Sequence, residues 1–187
     1  MPRRGCVQTN RLSCAQAEDA CCCSFWSLAA GCSEISLARL QVDGWSWLAE
    51  GLPHLHTLVL RRVIEGVDGV WPAALAKCTG LQTLTLEGRS TAPLPDGPYL
   101  ERLRTLDWLC DPDAAVLDAL TAATALERLR LTVAPERMAA SSVLDSLPNL
   151  RHVEFVASNS SEDRDESEHI DALAELRRRL RAEVSYR

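Results

Sequence analysis

The sequence predicts an α/β solenoid, in which a sheet of parallel strands is backed by helical or irregular return segments and followed by a C-terminal capping helix. The first observation is a hexamer with apolar residues at its first, fourth and sixth positions, clearest at 81–86 (LQTLTL). The second is its recurrence, because such hexamers end at residues 37, 60, 86, 108, 131 and 155, which are 22 to 26 residues apart. A fixed period indicates repeated units of chain that bury their faces against one another.

Composition limits the classes of protein to which the chain can belong. The chain has 187 residues and 47% hydrophobic residues, which suits one domain with a real core. Its net charge of -6 argues against a nucleic-acid-binding protein, because duplex recognition depends on clustered Lys and Arg. It contains no apolar run of 18 residues, so we expect no integral membrane segment. We expect a cytoplasmic protein, with the nucleus as the alternative compartment.

Residues 1–31 hold five of the eight cysteines, at Cys6, Cys14 and Cys21 to Cys23, and show no clear periodicity. A zinc site needs ligands that converge from paired turns, which three adjacent cysteines do not supply. A disulfide framework needs a secreted context that the sequence does not indicate. Acylation of Cys21 to Cys23, giving a membrane-tethered scaffold, is the alternative we keep open. The favoured reading is a poorly ordered N-terminal arm that ends in a short helix.

Residues 32–158 form the predicted repeat domain of five to six units. The first, fourth and sixth residues of each hexamer should point into the core and the residues between them outward. Apolar residues also stand eight positions before five of the hexamer ends and eleven before three of them, which requires a returning layer. Helical spacing supplies that layer at 45–50, 72–77, 114–122 and 138–146. The segment 92–98 contains three prolines, so we expect an extended or single-turn return there.

Residues 159–187 begin with an acidic linker and continue as an amphipathic helix. Its apolar stripe is Ile170, Leu173, Leu176, Leu180 and Val184, spaced by 3, 3, 4 and 4 residues, with arginines near its C-terminal end. The preferred role is a cap on the last repeat, and a partner-binding helix is the alternative.

Over residues 32–155 the chain resembles a leucine-rich-repeat protein, because five hexamers keep one register. The segments 52–55 (LPHL) and 147–150 (LPNL) resemble the helix-to-strand joints of the repeats that follow F-box domains. The family's Asn or Cys three residues after each hexamer is absent, and no F-box pattern precedes the repeats. The resemblance implies a non-enzymatic protein-interaction module without cofactor or metal, and a substrate-recognition role in an F-box-like ubiquitin ligase adaptor. A fragment of a larger repeat protein is also consistent with it.

The sequence contains no nucleophile elbow, phosphate loop or zinc-protease motif, which leaves the outward strand face as the candidate site. We expect Arg128 and Arg130 to hold an acidic or C-terminal segment of a partner protein, since arginine forks two hydrogen bonds onto a carboxylate. The competing expectation is that Arg130 pairs with Asp107 and Glu154, which would neutralise the surface. The predicted partner-binding residues are Thr83, Thr85, Arg104, Asp107, Arg128, Arg130, His152 and Glu154.

Overall fold

The computed structural model describes residues 11–14, 32–38, 41–42, 52, 54–61, 64–65, 73–88, 94–110, 117–156 and 166–187. Ten short strands alternate along these ranges with 3-10 turns and two helices. The strands are β1 Arg11–Cys14, β2 Glu34–Ala38, β3 Gln41–Val42, β4 Thr57–Arg61, β5 Ile64–Glu65, β6 Thr83–Glu87, β7 Thr105–Leu109, β8 Arg128–Leu131, β9 His152–Phe155 and β10 Glu183–Tyr186.

Eight of these strands form one sheet in the order β1, β2, β4, β6, β7, β8, β9, β10, and every neighbouring pair is parallel. The strands β3 and β5 form a separate parallel pair. Parallel neighbours need a crossover connection between them. The sequence repeat provides it, because each unit contributes one strand and one return segment. The fold is therefore α/β with a parallel sheet, as the periodicity predicts.

The repeat is also visible in the main-chain hydrogen bonds at the start of the strands. The N–H groups of Gln82 and Thr83 both donate to the carbonyl of His56, at 2.9 Å each. The same shared acceptor recurs at the starts of β7, β8 and β9, with the carbonyls of Gln82, Arg104 and Glu127. Each unit thus enters the sheet with the same geometry as the one before it.

The predicted inward positions are confirmed. From the second hexamer on, the first, fourth and sixth residues have exposed fractions of 7% or less, and most are fully buried. The columns eight and eleven residues before the hexamer ends are buried as well: Leu52, Cys78, Leu100, Ala123 and Leu147 in one, and Leu75, Leu120 and Leu144 in the other. One continuous core therefore runs through the described units.

Where they are described, the return segments are mostly 3-10 turns and not the regular helices that were predicted. They are the 3-10 turns Ala73–Lys77, Leu100–Arg102, Asp118–Ala122 and Val143–Ser146, and one short helix, α1, at Pro135–Ala139. Regular helix was expected at 45–50, 72–77, 114–122 and 138–146, of which 45–50, 72 and 114–116 lie outside the described residues. Units of 22 to 26 residues leave little chain for a full helix once the strand and two turns are formed, so the backbone closes with i to i+3 bonds.

The C-terminal helix, α2, spans Glu166–Arg179 and ends earlier than predicted. Leu173 and Leu176 are buried on it, but Ile170 is 65% exposed and Val184 lies on β10, so the predicted helical stripe is wrong at these two positions. The 4-residue spacing of Val184 from Leu180 is coincidental, since β10 forms by pairing with β9 in a non-local contact. The helix and strand together cover the last repeat, where Val153 and Phe155 are fully buried.

Candidate interaction face

Strand register arranges the outward side chains in rows that run across the sheet. The first row is Glu34, Thr57, Thr83, Thr105, Arg128, His152 and Glu183. The second row is Ser36, Val59, Thr85, Asp107, Arg130, Glu154 and Ser185. With parallel strands spaced at 4.7 to 4.9 Å, the eight strands make a face about 34 Å wide. Seven of the eight predicted site residues lie in these rows, and Arg104 lies beside them.

The hydroxyl-bearing part of the face is less accessible than expected. Thr85 is only 7% exposed, although it points outward. Its hydroxyl donates to the Asp107 carboxylate across the β6–β7 pair, at 3.4 Å. Thr83 in the first row remains partly exposed. Thr85 thus supports Asp107 and offers little surface of its own.

The Arg130 side chain is paired with a glutamate on the neighbouring strand. Its Nε lies 3.5 Å from the Glu154 Oε2 atom, and the other carboxylate oxygen of Glu154 lies 3.4 Å from the Arg187 Nε atom. Both Arg130 Nε and Glu154 Oε1 are buried without a hydrogen bond of good geometry, so these contacts are mainly Coulombic. The competing expectation for Arg130 therefore holds for Glu154, whereas Asp107 binds Thr85 instead.

Arg187 is a member of this cluster that sequence reasoning did not single out. Two arginines share the Glu154 carboxylate, which is 15% exposed, so the cluster carries one excess positive charge. The signal that could have found it is weak: Arg187 directly follows the alternating pair Val184 and Tyr186, which marks a strand rather than a helix end.

Arg128 differs from Arg130 in being exposed and having no ion-pair partner among the described residues. Its row neighbours are Thr105 and His152. The adjacent Arg104 lies 3.3 Å from Glu127, with both side chains more than a third exposed. Arg151, also exposed, stands at the equivalent position of the next unit, where its backbone N–H donates to the Glu127 carbonyl. Arg151 precedes β9 outside the alternating rows and is not among the predicted residues.

His152 is the remaining predicted residue of the first row. Its Nδ1 lies 3.5 Å from the Glu183 carboxylate on β10, and its side chain is 26% exposed. Around Arg128 the face therefore offers an exposed guanidinium, an imidazole and the hydroxyl of Thr105. Groups of this kind bind carboxylates by charge-assisted hydrogen bonds.

The described residues also include possible metal ligands and cysteine thiols. Within them, no three His, Cys, Asp or Glu side chains are grouped closely enough to hold a metal ion. Cys32, Cys78 and Cys110 are buried thiols, and burial raises the pKa of Cys78 from 9.0 to about 11. A thiol with a raised pKa is a weaker nucleophile at neutral pH. The side chains of Cys6 and Cys21 to Cys23 lie outside the described residues, and the acylation alternative stays a prediction.

Neither helix of the described chain has the length and apolar character that crossing a bilayer requires. Comparison with known protein families and with curated proteins finds no match to this chain.

Proposed function

We propose that this chain is a leucine-rich-repeat solenoid that acts as a protein-interaction module, and that the outward strand face around Arg128 binds an acidic segment of its partner. The observation that carries the proposal is the contrast between two neighbouring arginines. Arg130 is paired with Glu154, whereas Arg128 is exposed and has no such partner among the described residues.

The contrast matters energetically because Arg130 already has the Glu154 carboxylate as its partner, so a second carboxylate would compete for the same guanidinium. Arg128 has no such match, so a partner carboxylate adds a new charge-assisted pair. Arg104, Glu127 and Arg151 stand at equivalent positions of successive units, so together with Arg128 this part of the face holds three arginines to one glutamate. The whole chain has a net charge of -6, so this local excess of positive charge makes this part of the face a better site for acidic segments than the rest of the surface.

The shape of the face supports a peptide ligand. An extended segment advances about 3.3 Å per residue, and strand-to-strand spacing is about 4.8 Å. Acidic residues two positions apart would lie about 6.6 Å apart, so both would fall within reach of flexible arginine side chains on two neighbouring strands. We therefore expect preference for extended segments with alternating acidic residues or with a C-terminal carboxylate next to one.

The test uses a library of labelled extended peptides that carry zero to three glutamates, with fluorescence anisotropy as the readout. Arg128→Ala should weaken binding of the acidic peptides by about tenfold, the loss of one good charge-assisted contact. Arg102→Ala is the matched control, because Arg102 is an exposed arginine on a return segment. Equal binding by wild type and Arg128→Ala, with loss in Arg102→Ala, would place the binding surface on the return side.

A role as the recognition half of an F-box-like ubiquitin ligase adaptor rests on the resemblance of the repeat joints alone. Its experiment is co-purification of the chain with ubiquitin-ligase scaffold subunits from cells, compared with the Arg128→Ala variant. An adaptor would retain the scaffold and lose the substrate in that variant.

A further inference from the structure

The sheet ends at β10, and among the described strands none lies on its far side. The backbone N–H of Glu183 donates to the Arg151 carbonyl, and that of Arg187 donates to the Phe155 carbonyl, both at 2.8 Å. Residues of a strand in a parallel pair alternate in the direction of their main-chain groups. The N–H and C=O groups of Val184 and Tyr186 therefore face away from β9.

One of these four groups is occupied. The Arg177 side chain at the end of α2 donates from Nε to the Val184 carbonyl, at 3.0 Å. The remaining groups have no hydrogen-bond partner among the described residues and form a short edge that is a template for another strand. Tyr186 at this edge is 39% exposed, and it is one of two large apolar side chains exposed in the described part of the chain.

We propose that this edge pairs with β10 of a second copy in antiparallel orientation, and that Arg177 restrains the pairing by holding the Val184 carbonyl. A two-fold axis beside Ser185 would place Val184 opposite Tyr186 of the second copy. In an antiparallel pair, two opposite residues whose main-chain N–H and C=O groups point toward the other strand exchange two hydrogen bonds. Val184 and Tyr186 are the residues whose groups face outward, so this register satisfies all of them.

Charge favours the same register. It places Glu183 opposite Arg187 of the second copy, at both ends of the pair. Both side chains are 79% exposed, and their contacts within the chain, to His152 and to Glu154, are 3.5 and 3.4 Å long. Cross-strand pairs of opposite charge stabilise neighbouring strands. The edge is thus self-complementary in hydrogen bonding and in charge, as a two-fold interface requires.

Arg177 sets the strength of this association. A second strand must displace the Arg177 side chain from the Val184 carbonyl in each copy before its own N–H can bind there. The interface covers only four residues per copy, far less than the roughly 800 Å² per partner of a stable complex. The pairing is therefore a weak one.

The first experiment is sedimentation equilibrium of the full chain over a wide concentration range. Arg177→Ala should dimerise about tenfold more tightly than wild type, because two competing hydrogen bonds are removed per dimer. Arg178→Ala is the control, since Arg178 is its exposed neighbour and pairs with Glu175. Thermal unfolding of each variant establishes that it is folded. A folded Arg177→Ala protein that associates no more than wild type would overturn the proposal.

The second experiment tests the register by charge exchange in the Arg177→Ala protein. Glu183→Arg alone and Arg187→Glu alone should each weaken dimerisation, because like charges then face each other at both ends. The two changes together should restore it. Association that survives both single changes, or that disappears with Ile170→Ser, the other exposed apolar site, would show that a different surface is responsible.

Discussion

The guanidinium of Arg179 donates to the Asp145 carboxylate at 3.0 Å and thereby joins α2 to the last return segment. The same guanidinium donates to the carbonyls of Ala139 and Ser141, at 2.6 and 2.7 Å, and to that of Met138 at 3.4 Å. Carbonyls at a helix C-terminus have no partner within the helix. One arginine therefore satisfies the end of α1 and holds the C-terminal cap in place.

Arg179→Ala should destabilise the docking of α2 by about 1 to 3 kcal/mol, because it leaves partly buried carbonyls without a donor. Hydrogen exchange should report faster exchange in 166–179 than in the central strands, and urea unfolding should give the global cost. Arg178→Ala, whose side chain is 79% exposed, should change neither quantity. Unchanged exchange protection of α2 in Arg179→Ala would mean that Leu173 and Leu176 alone hold the helix.

Leu129→Ala tests the repeat core. Leu129 is fully buried at the fourth position of its hexamer, so its loss should reduce the free energy of unfolding by about 2 to 5 kcal/mol. Arg128→Ala, one residue earlier and exposed, should leave that free energy nearly unchanged and serves as the matched control. Equal unfolding free energies for the two variants would contradict the inward orientation of the fourth position.

The inward positions could be predicted from the sequence because they follow from a local period, in which Leu81, Leu84 and Leu86 recur in phase. Strands at both ends of the sheet were not predicted, although a partial signal exists. Cys14 stands 23 residues before Leu37 and is its register partner on β1. Only two apolar positions mark each end strand, which is too short a pattern to distinguish from chance.

The pairing of side chains on the outward face was less predictable than the backbone. The rows follow from the alternation and place Arg130 beside Glu154, as the competing expectation had it, whereas the contact of Asp107 with Thr85 instead of Arg130 depends on side-chain direction. Arg187 shares that carboxylate only because β10 pairs with β9, a contact that local periodicity does not encode. The cap was anticipated as a helix, whereas part of the covering comes from this strand.

Gly97→Ala should destabilise the protein through a clash between two return segments. A Cβ atom at Gly97 would lie 2.7 Å from the Ala76 Cα and 3.0 Å from the Ala76 carbonyl oxygen, both of which are backbone atoms. Overpacking of this kind typically costs about 1 to 3 kcal/mol.

Differential scanning calorimetry of Gly97→Ala should show a lower melting temperature, with Asp96→Ala, at an exposed position, as the control. Adding Ala76→Gly should restore little of the lost melting temperature, because the two closest backbone atoms of residue 76 remain. Full recovery in that double variant would show that the side chain of Ala76, rather than its backbone, limits the approach.

Alkaline pH should destabilise the fold through Cys78. Burial raises the pKa of this thiol from 9.0 to about 11, so between these values the folded chain keeps a proton that the unfolded chain has lost. Stability from this group is complete below about pH 9 and is lost as pH rises toward 11. The loss should be on the order of 2 kcal/mol.

Tyr99 acts in the same direction at higher pH. Its pKa is raised by burial first, and also by the nearby Asp96 and Cys78, while its hydroxyl donates to the Pro95 carbonyl at 2.9 Å. Urea unfolding at intervals from pH 8 to 11 separates the two groups. Cys78→Ala should flatten the decline that begins near pH 9, whereas Tyr99→Phe should keep that part and flatten the decline above pH 10. Identical slopes in wild type and Cys78→Ala across the whole interval would show that the thiol titrates alike in the folded and unfolded states and that another group causes the alkaline loss of stability.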